Sequence, residues 1–340
     1  MAERVTAFSP GRVNLIGEHT DYNDGLCLPF ATRRGIRVTA HPLAGQEFEV
    51  RALDLAEDDR FRPRERATGW RAFARGCVGE LEAAGLEIRP ARLELSGDLP
   101  RGAGLSSSAA LCVGVCLALC ASSGAVVPNR IQLARICSRV ENDWAGMKTG
   151  LLDQLASLFG SEGHAVRIDM RALEIEDVPL DLRGHRLATL DSGAPRELAE
   201  SGYNERRAEC RRACEALGLE SLREADAHAL ASLPGPLARR VRHVLTVNAR
   251  VDATIQALRA GDLEEAGRLL DASHESLRDD YEVSLPAVEA AVERAKGAGA
   301  LGARIMGGGF GGHVLALFGA ETQLPADAHV VEPGPGAHLA

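Results

Sequence analysis

Residues 10–29 read PGRVNLIGEHTDYNDGLCLP, setting Arg12, Asn14, Glu18, His19, Asp21 and Asn23 beside apolar Val13, Leu15 and Ile16. Carboxylate, imidazole and amide groups at fixed short spacings both accept from and donate to several hydroxyls, which is what a sugar site needs. A second group suits phosphate. Residues 99–110 (LPRGAGLSSSAA) lie between a strand pattern and an apolar helical pattern. A helix N-terminus offers unpaired N–H groups and a partial positive charge to an anion. Gly102 and Gly104 leave room for backbone to approach phosphate oxygens. Ser106, Ser107 and Ser108 add hydroxyls that can cap the helix, bind phosphate or hold Mg²⁺. No Gly-Lys-Ser/Thr follows, so this is not a Walker loop. Taken alone, the segment serves equally well as a glycine turn and serine cap with no ligand. A third group, residues 303–317 (ARIMGGGFGGHVLAL), sets glycines between two strand patterns, where backbone can come close to a ligand or to another element.

Positioning these groups calls for a mixed architecture. Strands are expected at 4–9, 26–30, 37–41, 48–52, 92–95 and 165–169, with helices at 70–84, 107–121, 129–144 and 151–159. After Pro179 the texture changes. A strand at 186–191 precedes long charged amphipathic stretches at 197–217, 237–259, 263–278 and 285–297, and strands at 303–306 and 314–318 flank the last glycine cluster. A domain boundary is placed near 178–183, giving units 1–180 and 181–340. The tail, 332–340, is rich in proline and glycine.

Composition narrows the class. The chain has 340 residues, 45% apolar and 26% charged, with a net charge of −9 and no long basic run. That argues against nucleic acid or an anionic membrane as the main partner while leaving room for a locally positive nucleotide site. No stretch reaches the roughly 20 apolar residues of a membrane span, and the N-terminus lacks a signal-peptide core. The eight cysteines form no CxxC pair. Cys112, Cys116 and Cys120 share one helix face, which suits small core residues better than zinc, and a reducing cytoplasm is the expected location.

The three segments, in this order and at these separations, resemble the GHMP kinase superfamily. GRVNLIGEHTDYN is similar, almost letter for letter, to the signature of its galactokinase family. LPRGAGLSSSAA resembles the superfamily's ATP loop and GGGFGG its third motif. Glu141-Asn142 followed by GLLDQ (150–154) is similar to the stretch bearing that family's metal ligand and catalytic aspartate, and SGYNERRAEC (201–210) to the segment with its sugar-contacting tyrosine. The chain departs in being shorter than typical members, in GLLDQ where GI[MK]DQ is usual, and in His313 where the family has cysteine.

The resemblance implies a two-domain α+β GHMP kinase fold, with a ribosomal protein S5 domain 2-like N-terminal domain and a ferredoxin-like-derived C-terminal domain. It implies a monomer that phosphorylates the C1 hydroxyl of α-D-galactose with ATP and Mg²⁺. By resemblance, Asp153 contacts that hydroxyl and accepts its proton, and Arg12 beside it stabilises the transferring phosphoryl. A carboxylate next to a guanidinium is a weak base, so Asp153 is expected to orient the hydroxyl and take the proton late. The competing reading makes Asp153 a buried ion pair with Arg12. Glu18, His19, Thr20, Asp21, Gly150 and Tyr203 are the expected sugar contacts, together with Arg12 and Asp153. Gly102, Ala103, Gly104, Leu105, Ser106, Ser107 and Ser108 are the expected nucleotide contacts. Trp70 either stacks on adenine or belongs to the core. Ser108 and Glu141 are the metal candidates, Glu141 being otherwise a solvated helix carboxylate. Residues 307–312 shape the floor, and His313 carries no assigned role. Two rivals remain: a kinase of N-acetylgalactosamine, galacturonate or arabinose, and a regulator that binds galactose and ATP without turnover.

Overall fold

The computed structural model describes residues 4–100, 104–194 and 199–340. The first half forms one large sheet from β1 (Val5–Ile16), β2 (Leu26–Pro42), β3 (Phe48–Ala52), β4 (Glu57–Phe61), β5 (Ala91–Gly97), β6 (His164–Asp169) and β7 (Glu174–Pro179). A second, antiparallel sheet takes β8 (Arg186–Asp191), β9 (Ala300–Ile305), β10 (His313–Phe318) and β11 (His329–Val331), in the order β11-β8-β10-β9. The last strand, β12 (His338–Leu339), crosses back and pairs with β1, so the first sheet runs β12-β1-β2-β5-β3-β4, with the β6–β7 hairpin branching from β2.

Two expected strands prove longer, and four, β4, β7, β11 and β12, were not foreseen. β1 continues through Arg12 and Asn14 with bulges near Pro10 and Ile16, and β2 runs unbroken over both of its expected pieces. Arg12 and Asn14 are buried polar residues, so polarity alternation gives no sign that the strand continues. β4 (EDDRF) and β7 (EIEDVP) are acidic edge strands, a composition that strand propensity disfavours and edge protection favours.

The helices follow their patterns more closely. α1 (Trp70–Ala83), α2 (Ser107–Ser123), α3 (Arg130–Arg139) and α4 (Leu152–Phe159) build the core of the first half. α2 is apolar all round because it is enclosed by β1, β2, α1 and α3. Cys112, Cys116 and Cys120 are small buried fillers there, and all eight cysteines are free thiols. α3 starts at a capping box between Asn129 and Gln132. It ends in a π-helical turn, Val140–Trp144, that aims Glu141 inward.

In the second half come α5 (Ala199–Leu217), α6 (Ala229–Ser232), α7 (Gly235–Ala260), α8 (Leu263–Asp279) and α9 (Pro286–Gly297). α8 and α9 cover the second sheet, while α7 packs on α5 and α8 and reaches β1, β2 and β7 of the first. The α8–β9 approach depends on glycine: a Cβ on Gly302 would lie 1.9 Å from the Gly267 carbonyl oxygen. Fully buried Arg304 of β9 reaches across to the end of β1, donating to the carbonyls of Asn14 and Leu15 and pairing with Glu18.

Candidate active site

The polar motif divides into groups that face a cavity and groups that hold the turn. After β1 the chain reverses through Gly17, where φ is +102° and a Cβ would strike the Leu26 carbonyl, and through His19 at φ 61°. The Thr20 hydroxyl donates to the carbonyls of Gly17 and Leu26, and Asn23 donates to the carbonyl of His19. The turn thereby turns Arg12, Glu18, His19 and Asp21 into a cavity of about 310 Å³, completed by Gly150 and Asp153 around the start of α4, Tyr203 of α5, and Gly307 and Gly308 after β9. Of the expected sugar contacts only Thr20 stays out of the wall; its side chain is spent on the turn.

Asp153 is held on both oxygens. Oδ1 accepts from Arg12 Nε at 2.8 Å and pairs with Nη2 at 2.7 Å, while Oδ2 accepts from the Ser106 hydroxyl. Arg12 also donates through Nη1 to the Gly104 carbonyl (2.7 Å), and its backbone N–H donates to that of Leu105 (3.0 Å). Ser106 sits in the left-handed region, φ 55°, immediately before α2. The sugar-facing aspartate and the start of the phosphate-type helix are therefore one bonded unit. Gly104, Leu105, Ser106, Ser107 and Ser108 all belong to this junction, whereas Gly102 and Ala103 lie outside the described residues.

A second cavity, about 280 Å³, reaches the same helix start. Ser107 and Ser108 line one part of it, and Trp70, Phe73, Leu55 and Asp54 line the rest. Trp70 is half-buried at its wall, its indole N–H donating to Glu57 at 2.8 Å. Sequence reasoning found Trp70 but missed Asp54, Leu55 and Phe73, which come from a turn and a helix with no motif of their own.

Charges in the first cavity are set by burial. Asp21 is pushed up to about 6, first by burial and then by the Asp153 charge. His19 is pulled down to about 3, again by burial first and then by His243, so its imidazole is neutral at physiological pH. Its Nδ1 lies 2.8 Å from the Tyr22 hydroxyl, which continues to the Tyr281 hydroxyl at 3.0 Å. Glu18 is clamped: Oε1 accepts from Arg304 and from the Gly307 N–H, Oε2 from Asn14.

Glu141 is fully buried, which excludes the solvated-carboxylate reading. Thr149 and Gln154 donate to Oε2, but Oε1 has no hydrogen-bond partner, and burial, then Asp153, raises the pKa. The Ser108, Thr149 and Gln154 side chains offset part of that rise. Met147, Lys148, Thr149, Leu152 and Asn204 also stand in the cavity wall, with no signal in their residue types beyond adjacency to Asp153 and Tyr203. Arg304 had a signal, a lone charge inside an apolar strand, that went unread.

Three family models match the chain: the galactokinase galactose-binding signature over residues 2–42, the GHMP kinases N-terminal domain over 72–161 and the GHMP kinases C-terminal region over 254–330. A galactokinase of Thermotoga neapolitana is 42% identical over 310 residues, 91% of this chain and 88% of its own. One from Halalkalibacterium halodurans is 38% identical over 351 residues, 96% of this chain and 86% of its own. The crystal structure of Lactococcus lactis galactokinase complexed with galactose superimposes with a TM-score of 0.92 at 34% identity, covering 99% of this chain and 95% of that one. Methanococcus jannaschii mevalonate kinase shares the fold alone, with a TM-score of 0.68 at 17% identity over 95% of this chain and 92% of that one.

Proposed function

The chain belongs to the galactokinase family of GHMP kinases, and on that premise we propose how its own residues transfer the γ-phosphoryl of ATP to the C1 hydroxyl of α-D-galactose. The observation that carries the reading is the bonded junction of Arg12, Asp153 and Ser106, where the polar cavity meets the start of α2. Galactose occupies the first cavity, with its C1 hydroxyl at Asp153. ATP lays its phosphates on the helix start, with its base in the second cavity beside Trp70.

Asp153 works chiefly by position. The transferring phosphoryl passes through a loose transition state, so the hydroxyl needs orientation early and a proton acceptor late. Two hydrogen bonds from Arg12 and one from Ser106 fix the carboxylate while leaving lone pairs for the sugar. Arg12, anchored to the loop carbonyl of Gly104, offers its remaining N–H groups to the charge that develops on the phosphoryl oxygens. Asp21 and Glu18 accept from sugar hydroxyls, neutral His19 orients one more, and Tyr203 supplies a face for the ring.

Mg²⁺ fits the residues present. A buried carboxylate with a free Oε1, next to a serine hydroxyl, is a hard-oxygen pair of the kind this ion takes while keeping its waters. Glu141 and Ser108 would hold it, and it would neutralise charge on the β- and γ-phosphates. The protein acts as a monomer on small molecules, away from nucleic acid and membranes, in the cytoplasm. Among the described residues no helix is long and apolar enough to cross a membrane.

A coupled assay of ADP release over a sugar panel tests the assignment. Galactose should turn over fastest, ahead of N-acetylgalactosamine, galacturonate and arabinose. Turnover of another sugar without galactose would reassign the substrate, and binding of galactose and ATP without ADP release would make the protein a sensor.

A further inference from the structure

α5 carries more than Tyr203 to the sugar cavity. One turn further along, Arg207 donates through Nη1 to the backbone carbonyl of Lys148 at 3.2 Å, and its guanidinium lies 5.8 Å from the centre of the Tyr22 ring. The bond joins the second half of the chain to the 147–150 loop, and all four residues of that loop line the cavity. The loop is braced from within by Thr149, which accepts from and donates to the Glu141–Asn142 turn, but that bracing comes from its own half of the molecule. Gly150 in turn rests against Asp21, so closely that a Cβ there would lie 2.2 Å from Oδ2. A shift of the loop is therefore felt at the Asp21 carboxylate.

We propose that Arg207 is a positioning residue for sugar binding: it ties the 147–150 loop to α5 across the cavity and sets its positive charge towards Asp21. This rests on the galactokinase reading of the cavity. The charges around Asp21 make the second part specific. Asp153 of α4 and Glu18 of its own turn oppose ionisation of Asp21, as does burial, while the Tyr22 backbone N–H and the Arg207 charge favour it. The Cys27 thiol of β2 and the Tyr22 and Tyr203 phenols also face it, and all three stay protonated because burial raises them. Arg12 is committed to Asp153, and Lys148 stands at the exposed rim. Removing the Arg207 charge moves Asp21 further up from its value of about 6, so the sugar loses its acceptor at a higher pH.

The test is steady-state kinetics of the full chain, with ATP and galactose varied separately across pH. Arg207→Ala should raise the galactose KM about tenfold, the loss of one charge-assisted bond. The ATP KM should stay within about twofold, and the acid limb of kcat/KM for galactose should move up by roughly half a pH unit. Arg207→Lys, which keeps the charge without the fork, should restore the acid limb and only part of the KM. Arg207→Gln, which keeps a donor without the charge, should leave the limb displaced, and it serves if the alanine variant does not fold. An unchanged galactose KM and limb would overturn the proposal. So would equal rises in both KM values with a lowered melting temperature and an unmoved limb, the signature of lost packing alone. Failure of the unsubstituted protein to turn over galactose would instead overturn the reading of the site.

Discussion

At the scale of single residues, the proposed transfer depends on Asp153 for its chemistry and on Asp21 for recognition. Asp153→Asn keeps the shape of the junction but removes the charge that pairs with Arg12 and, in the proposed transfer, accepts the hydroxyl proton. We expect turnover to fall by about 10²–10⁴-fold, with galactose and ATP binding by calorimetry largely retained; equal losses in binding and turnover would show that the aspartate merely holds the site together. Asp21 adds a pH signature. Its carboxyl is protonated below about 6 in the folded protein, and only the ionised form is a full acceptor for sugar hydroxyls. The value of kcat/KM for galactose should therefore fall about tenfold per pH unit on the acid side of that point. Asp21→Asn should flatten that limb at a uniformly lower level. Asp21 was legible in the sequence because it stands in a dense polar motif, whereas Asp153, set among leucines, was legible only through the resemblance of GLLDQ to the family's catalytic stretch. Thr20 stood in the same motif, but spacing alone does not say which members of a turn face the ligand and which close the turn. That choice is made by Gly17 and the carbonyls it exposes to the Thr20 hydroxyl.

At the scale of elements, the apolar helix α2 and the amphipathic helices of the second half were legible from their periodicity. The strands that carry function were not. β1 buries Arg12 and Asn14 in its interior, and Glu18 is satisfied by Arg304, 286 residues away, a partnership no local pattern encodes. Likewise, nothing in the order of residues marks the second cavity, whose wall is gathered from the turn after β3, from α1 and from α2. The contact of β9 with α8 makes an element-scale prediction. Gly302→Ala sets a methyl group 1.9 Å from the Gly267 carbonyl oxygen, and backbone there cannot yield as a side chain would. A destabilisation of about 1–3 kcal/mol is expected by denaturant titration. A melting curve like that of the parent would mean that the helix and strand are free to slide apart.

At the scale of the whole molecule, the two sheets are joined behind the sugar cavity by the buried pair of Arg304 and Glu18. Such a pair adds little net stability over an apolar contact, yet removing one partner strands the other charge. Arg304→Met should cost about 3–5 kcal/mol, and adding Glu18→Gln to it should recover part of that loss. Additive losses in the two single variants and the double would show that the residues act independently. The return of β12 to β1 has a different consequence, one that belongs to the making of the chain. Leu339 pairs with Ala7 and His338 with Phe8, while the other side of β1 is taken by β2. The outer edge of β1 is thus completed by residues synthesised roughly 330 positions later, on the order of half a minute at ordinary rates of translation. Throughout that interval a nascent chain emerging from the ribosome presents an open strand edge beside its unfinished sugar site. Residues made late are what finally shield this early strand from pairing with a neighbouring chain.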